Sequence, residues 1–128
     1  MVREGSDLTL IAWGRMVEEA QRACEEELAD LSVELVDMRT LVPLDLDTAA
    51  ASVTKTGRAL VVHEAVESFG PGAEIAMRLT ERLLYEIEGP IRRLGAVTAP
   101  TPYSPPLEEA ALPAAGSIAA ATRELLEI

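Results

Sequence analysis

The chain has 128 residues, of which 48% are hydrophobic and 26% charged, and its formal net charge is −11. That length suits one domain with a core of its own, residues 1–128, and the composition is that of a folded chain. The charge argues against nucleic acid and anionic membrane surfaces as partners, because both are held by clustered Lys and Arg; a basic protein partner is compatible with it, and so is plain solubility. The one cysteine, Cys24, excludes an internal disulfide and a multi-cysteine metal cluster. No run approaches the roughly 18 apolar residues of a membrane helix. The opening MVREGSDLTLIAWG lacks the order of a secretory signal, so a cytoplasmic location is expected.

Residues 7–13 (DLTLIAW) read as a strand ended by Gly14. A helix follows, with Met16, Val17, Ala20, Ala23, Cys24 and Leu28 at helical spacing. Residues 32–38 (SVELVDM) form a second strand, and a helix begins near Asp45 or Asp47 and stops at Gly57. Residues 58–64 (RALVVHE) are a third strand. The next helix has Pro71 in its first turn and a stripe of Ile75, Leu79, Leu83 and Ile87, with Ala76 and Leu84 beside it. Residues 89–97 (GPIRRLGAV) give a fourth strand. The proline-rich stretch 98–116 is expected to be extended and without regular structure, and Ser117 to cap a final helix.

Alternation of this kind predicts a parallel sheet with helices on both faces and all strand C-termini on one edge. That edge carries Gly14, then Asp37, Arg39 and Thr40, then His63 and Glu64, then the residues after Val97. Ligands of open α/β sheets bind there, so topology makes His63, the only histidine, a candidate.

The chemistries available to this edge are few. There is no G-x-S-x-G elbow, and Cys24 lies on the apolar side of a helix, as a structural thiol does. Neither a Walker pattern nor G-x-G-x-x-G is present. Residues 70–72 (GPG) open a helix, but Glu74 in its first turn already offsets the helix dipole, so a tight turn with close backbone approach explains Gly70 and Gly72 better than an anion. One histidine among scattered carboxylates does not make a zinc site. Acid/base work by His63 beside Glu64 remains open against a structural or interface histidine, because neighbours in a strand point to opposite faces.

The order DLTLIAWG, VELVDMRTLVPLD, TGRALVVHEA, GAEIA, PIRRLGA and PLEEAALP resembles the C-terminal domain of transketolase-like enzymes. More narrowly, from Val2 to Ile128 it is similar to the β subunit of thiamine-diphosphate-dependent 2-oxo acid dehydrogenases of pyruvate or branched-chain type. The resemblance implies a three-layer α/β/α sandwich with a mostly parallel five-stranded sheet, in which Val2–Glu4 is an antiparallel edge strand. It implies one domain of a larger polypeptide, preceded by a pyrimidine-binding domain. It also implies a non-catalytic assembly role that binds no cofactor itself, with thiamine diphosphate and Mg held elsewhere in the parent enzyme. The implied partners are that pyrimidine-binding domain, the α subunit, a second β subunit and the small basic subunit-binding domain of the acyltransferase. Asp37, Arg39, His63, Glu64, Gly70 and Glu74 would form the inter-domain or subunit edge. Glu108, Glu109 and the terminal carboxylate of Ile128 would meet the basic partner. This chain departs from the family where FGPGAEI puts Phe69 in place of a glycine and Pro71 in place of a phenylalanine, and where TAP (Thr98–Pro100) replaces Asp-Thr-Pro. The competing reading is an independent small enzyme or ligand-binding domain that uses Asp37, Arg39, His63 and Glu64.

Overall fold

The computed structural model describes residues 1–128. Strands β1 (Leu8–Ala12), β2 (Val33–Asp37), β3 (Ala59–Val66) and β4 (Ile91–Ala96) alternate with helices α1 (Arg15–Glu26), α2 (Leu46–Thr56) and α3 (Pro71–Leu83), and helices α4 (Pro105–Ala111) and α5 (Ala115–Leu126) close the chain. The strands make one parallel sheet in the order β2-β1-β3-β4. The central strands are near-continuous apolar runs because both faces are covered. Leu8, Leu10 and Val62 point to α1 and α5, where they meet Met16, Ala20 and Ile118. Ile11, Val36 and Val61 point the other way, to Val53, Ile75 and Leu79 of α2 and α3. The result is the expected three-layer sandwich.

Local chemistry sets the helix ends. Asp45 caps α2 by accepting the Thr48 N–H at 3.1 Å, and Gly57, with φ of 73°, stops it. Pro71 occupies the first turn of α3. The last helix is tied to the first: buried Glu19 accepts the Ala115 N–H at 3.1 Å while paired with Arg22 at 2.7 Å, so a carboxylate sits at the positive end of α5. At the other end, Arg123 grips Asp30 through two bonds of 2.6 and 3.0 Å.

Four expectations are corrected. The antiparallel edge strand is reduced to a single bridge, Arg3 to Leu35. Pairing stops because Gly5 turns its N–H away from the ladder, to the Glu34 carboxylate at 3.1 Å. The proline-rich connection contains α4, since Pro105 and Pro106 fall in a first turn where a missing N–H costs nothing and Leu-Glu-Glu-Ala-Ala follows. Glu108 and Glu109 are therefore helical. Ser117 acts from inside α5: its hydroxyl accepts the Ala114 N–H at 2.9 Å. Helix α3 ends at Leu83, which leaves Leu84 exposed.

A polar cluster lies under α2. Glu34, on β2 beside Thr9 of β1, is 1% exposed. It accepts from Ser52 at 2.6 Å, from the Gly5 N–H and from Lys55, and Thr9 bridges Ser52 (2.8 Å) and Thr56 (2.7 Å). Burial works to raise the Glu34 pKa, but the bonds from Lys55, Ser52 and Gly5 outweigh it and hold the carboxyl below its usual range.

Ser52→Ala strips a donor from a buried carboxylate and is expected to cost about 1–3 kcal/mol in chemical denaturation at neutral pH. The depressed pKa means that the unfolded chain takes up the Glu34 proton first. Stability contributed by this group is thus present above pH 4.5 and lost as pH falls through the folded value. Glu34→Gln is expected to lack that part of the acid limb.

Candidate functional site

Strands β1 and β3 are neighbours, but the helices that leave them pack on opposite faces, so the crevice between their C-terminal ends is the switch point of the sheet. Ala12 pairs with Val62, which sets Trp13 beside His63 on the α2/α3 side. Their rings stack at 5.5 Å between centroids and 19° between planes. Val62 pairs with Leu94, which puts Gly95 on the other flank of His63. The start of α3 closes over the top.

His63 is fully buried, and three glycines make the room for it. A Cβ at Gly72 would lie 2.4 Å from its Nε2, one at Gly70 would lie 2.9 Å from its Cε1, and one at Gly95 would lie 2.8 Å from the same atom. The ring's Nδ1–H donates to the Ala65 carbonyl at 2.9 Å, which can only accept. Nε2 is thereby left as an unprotonated, unpartnered acceptor under the positive end of α3. Burial pushes the pKa of His63 below the usual histidine value, while the Ala65 carbonyl and the charge of Glu67 pull it up. Burial thus favours the neutral ring.

The other residues singled out in the sequence do not gather around this ring. Glu64 is exposed on the opposite face. Asp37 spends its carboxylate on the Arg39 N–H at 2.8 Å, holding a left-handed turn in which Arg39 has φ of 59°. Gly70 touches the ring, and Glu74 is exposed in the first turn of α3. Glu108 and Glu109 are exposed on α4, before α5, and Ile128 lies beyond its far end. Helix α5, 12 residues and about 18 Å long, lies between them along the chain. Trp13, Gly72 and Gly95 were not anticipated as partners of His63. A tryptophan directly after an apolar strand and a glycine inside the fourth strand were the available signals.

Two clefts flank α4. One, of about 430 Å³, is polar and lies between Arg15, Glu19 and Arg22 of α1 and Glu108 and Glu109 of α4. The other, of about 530 Å³, is mostly apolar and lies between the ends of β3 and β4, the loop 97–102 and α4.

Residues 1–118 match the family model described as "Transketolase, C-terminal domain". The chain belongs to that family. It is 48% identical to the pyruvate dehydrogenase E1 component subunit beta of Staphylococcus epidermidis over 103 residues, covering 80% of this chain and 32% of that protein. It is 42% identical to the Staphylococcus aureus protein of the same name over 126 residues, covering 98% of this chain and 38% of that one. The chain thus spans about a third of the length of these curated relatives. A solved structure titled "Split gene transketolase, inactive beta4 tetramer" superposes with a TM-score of 0.82 at 28% identity, over 98% of this chain and 40% of that chain. Phe69 has φ of 61°, a conformation that glycine adopts freely, and it carries a fully exposed aromatic ring.

Gly72→Ala drives a methyl into a ring that cannot retreat and is expected to cost about 1–3 kcal/mol. His63→Ala should relieve most of that penalty, so a double-mutant cycle by denaturation should return a clear coupling. The pH dependence has a definite sign. The unfolded chain protonates His63 near 6.5 and the folded chain resists, so stability falls as pH drops from 6.5 toward the folded value. His63→Gln should flatten the profile in that window.

Proposed function

We propose that this chain is a non-catalytic assembly domain of a 2-oxo acid dehydrogenase β subunit. In this reading it joins a pyrimidine-binding domain, an α subunit and a second β subunit in a heterotetramer of two α and two β subunits, and it offers an acidic face to the subunit-binding domain of the acyltransferase. The parent enzyme would oxidatively decarboxylate a 2-oxo acid with thiamine diphosphate and Mg, and the names of the relatives favour pyruvate. A cytoplasmic site of action goes with that parent. The solved neighbour's title, an inactive β tetramer, is consistent with a role in assembly.

The observation that carries the non-catalytic part is the state of His63. The one histidine of the chain sits at the switch point buried and walled in by Trp13 and three glycines, with its Nδ1 bonded to the Ala65 carbonyl. The residues of this chain also do not fit the cofactor. The N-terminus of α3, the helix end at the switch point that could face a phosphate, is filled by the imidazole. Glu108, Glu109 and the Ile128 carboxylate are the groups this reading offers to the basic subunit-binding domain.

Mixing the chain with an E1 α subunit and a β fragment lacking this domain is expected to restore a heterotetramer by light scattering, and pyruvate decarboxylation with it. Calorimetry of the chain alone with thiamine diphosphate and Mg is expected to give no binding heat. Turnover or tight cofactor binding by the chain alone would overturn the non-catalytic part, and failure to associate with both companions would overturn the assembly part.

A further inference from the structure

We propose that the apolar cleft beside α4 is a docking site for a protein segment carrying one bulky apolar side chain flanked by lysine or arginine. Its walls are Val66, Ala96, Val97, Leu107 and Ala111, at the ends of β3 and β4 and on α4. The volume of about 530 Å³ is ample for a leucine or phenylalanine side chain.

Helix α4 shows that this surface is unfinished. It buries none of its seven residues, although a helix of two turns is marginal without packing. Leu107 is 60% exposed and Val97 59% exposed. The apolar surface extends past the cleft. The Ser68 N–H donates to the Thr98 hydroxyl, which itself donates to the Ser68 hydroxyl at 3.1 Å. This contact ties the turn that bears fully exposed Phe69 to Thr98, the residue after Val97. Phe69 keeps a left-handed backbone to stand there, a conformation that costs a bulky residue free energy and gains it no contact within the domain.

Charge selects the occupant. The ionisable groups lining the cleft are the carboxylates of Glu64 and Glu108, and no cation lines it. Two carboxylates around an apolar floor favour a cation beside the anchoring side chain. A second copy of this chain, also at −11, would bring like charge to the same rim. This inference rests on the assembly reading, which already uses Glu64 and Glu108, and adds to it an apolar anchor for the bound segment.

The test uses the 128-residue chain and two short labelled peptides, each with a central Leu-Phe pair, one flanked by lysines and the other by glutamates. The lysine-flanked peptide is expected to bind at least about tenfold more tightly, less so as salt is raised, with amide shift changes centred on Val66, Val97 and Leu107. Leu107→Asp, an exposed position, should abolish binding with the circular dichroism spectrum unchanged. The double variant Glu64→Lys with Glu108→Lys should reverse the preference between the two peptides. Equal affinity for both peptides, shift changes centred elsewhere, or an unreversed preference would overturn the proposal. So would a concentration-dependent dimer that Leu107→Asp dissolves, because the cleft would then belong to a second copy. Assembly with the larger companions is read separately, by light scattering of the unmodified chain, so the two readings fail on different measurements.

Discussion

The imidazole of His63 has no room to move, and the C-terminal half of the sheet is built around that fact. Its neighbours come from β1, β4 and the first turn of α3, so one ring fixes the spacing of three elements at once. Three of the chain's eight glycines are spent on making space for it. In a doubly wound sheet this crevice is where a ligand normally enters. Here a buried side chain of the chain itself occupies it, packed between three elements. The unpartnered Nε2 is the cost of that arrangement, an acceptor given up to apolar surroundings in return for a close-packed seam.

Much of this was legible in the sequence. Alternating strand and helix patterns gave the layers, Gly57 and Pro71 marked helix ends, and the opposite facing of His63 and Glu64 followed from strand geometry. The His63 cradle was not legible, because it depends on β1 and β4 flanking β3. Periodicity says which face a residue points to, and it is silent on which strand lies next door. Gly95 looks like an ordinary strand glycine until that order is known. Helix α4 was hidden by its prolines, which read as breakers although they sit in the one turn that tolerates them. The Glu34 cluster left a trace, an acid at an inward position of an apolar strand, and its explanation needed Ser52 and Lys55 from a helix some twenty residues later.

The acidity of the chain divides into two kinds. Glu19 and Glu34 are inside, each given partners that repay its burial, and they hold elements together. The remaining carboxylates shape what can approach. Around α4 they border one polar and one apolar cleft within a few residues of each other, so this short helix is where the domain's charge and its exposed apolar surface meet.

The bond from Glu19 to the Ala115 N–H joins residues 96 apart, and α5 supplies Ile118, Ala119 and Leu125 to the core on the α1 side of the sheet. Synthesis proceeds from the N-terminus, so α1 and the strands leave the ribosome long before α5 exists. Until α5 emerges, Glu19 has only Arg22, and Leu60 and Val62 are covered on that face by α1 alone. A nascent chain stalled before Ala115 would therefore hold a sheet whose α1 side is only half covered, and the emergence of α5 is what completes that layer.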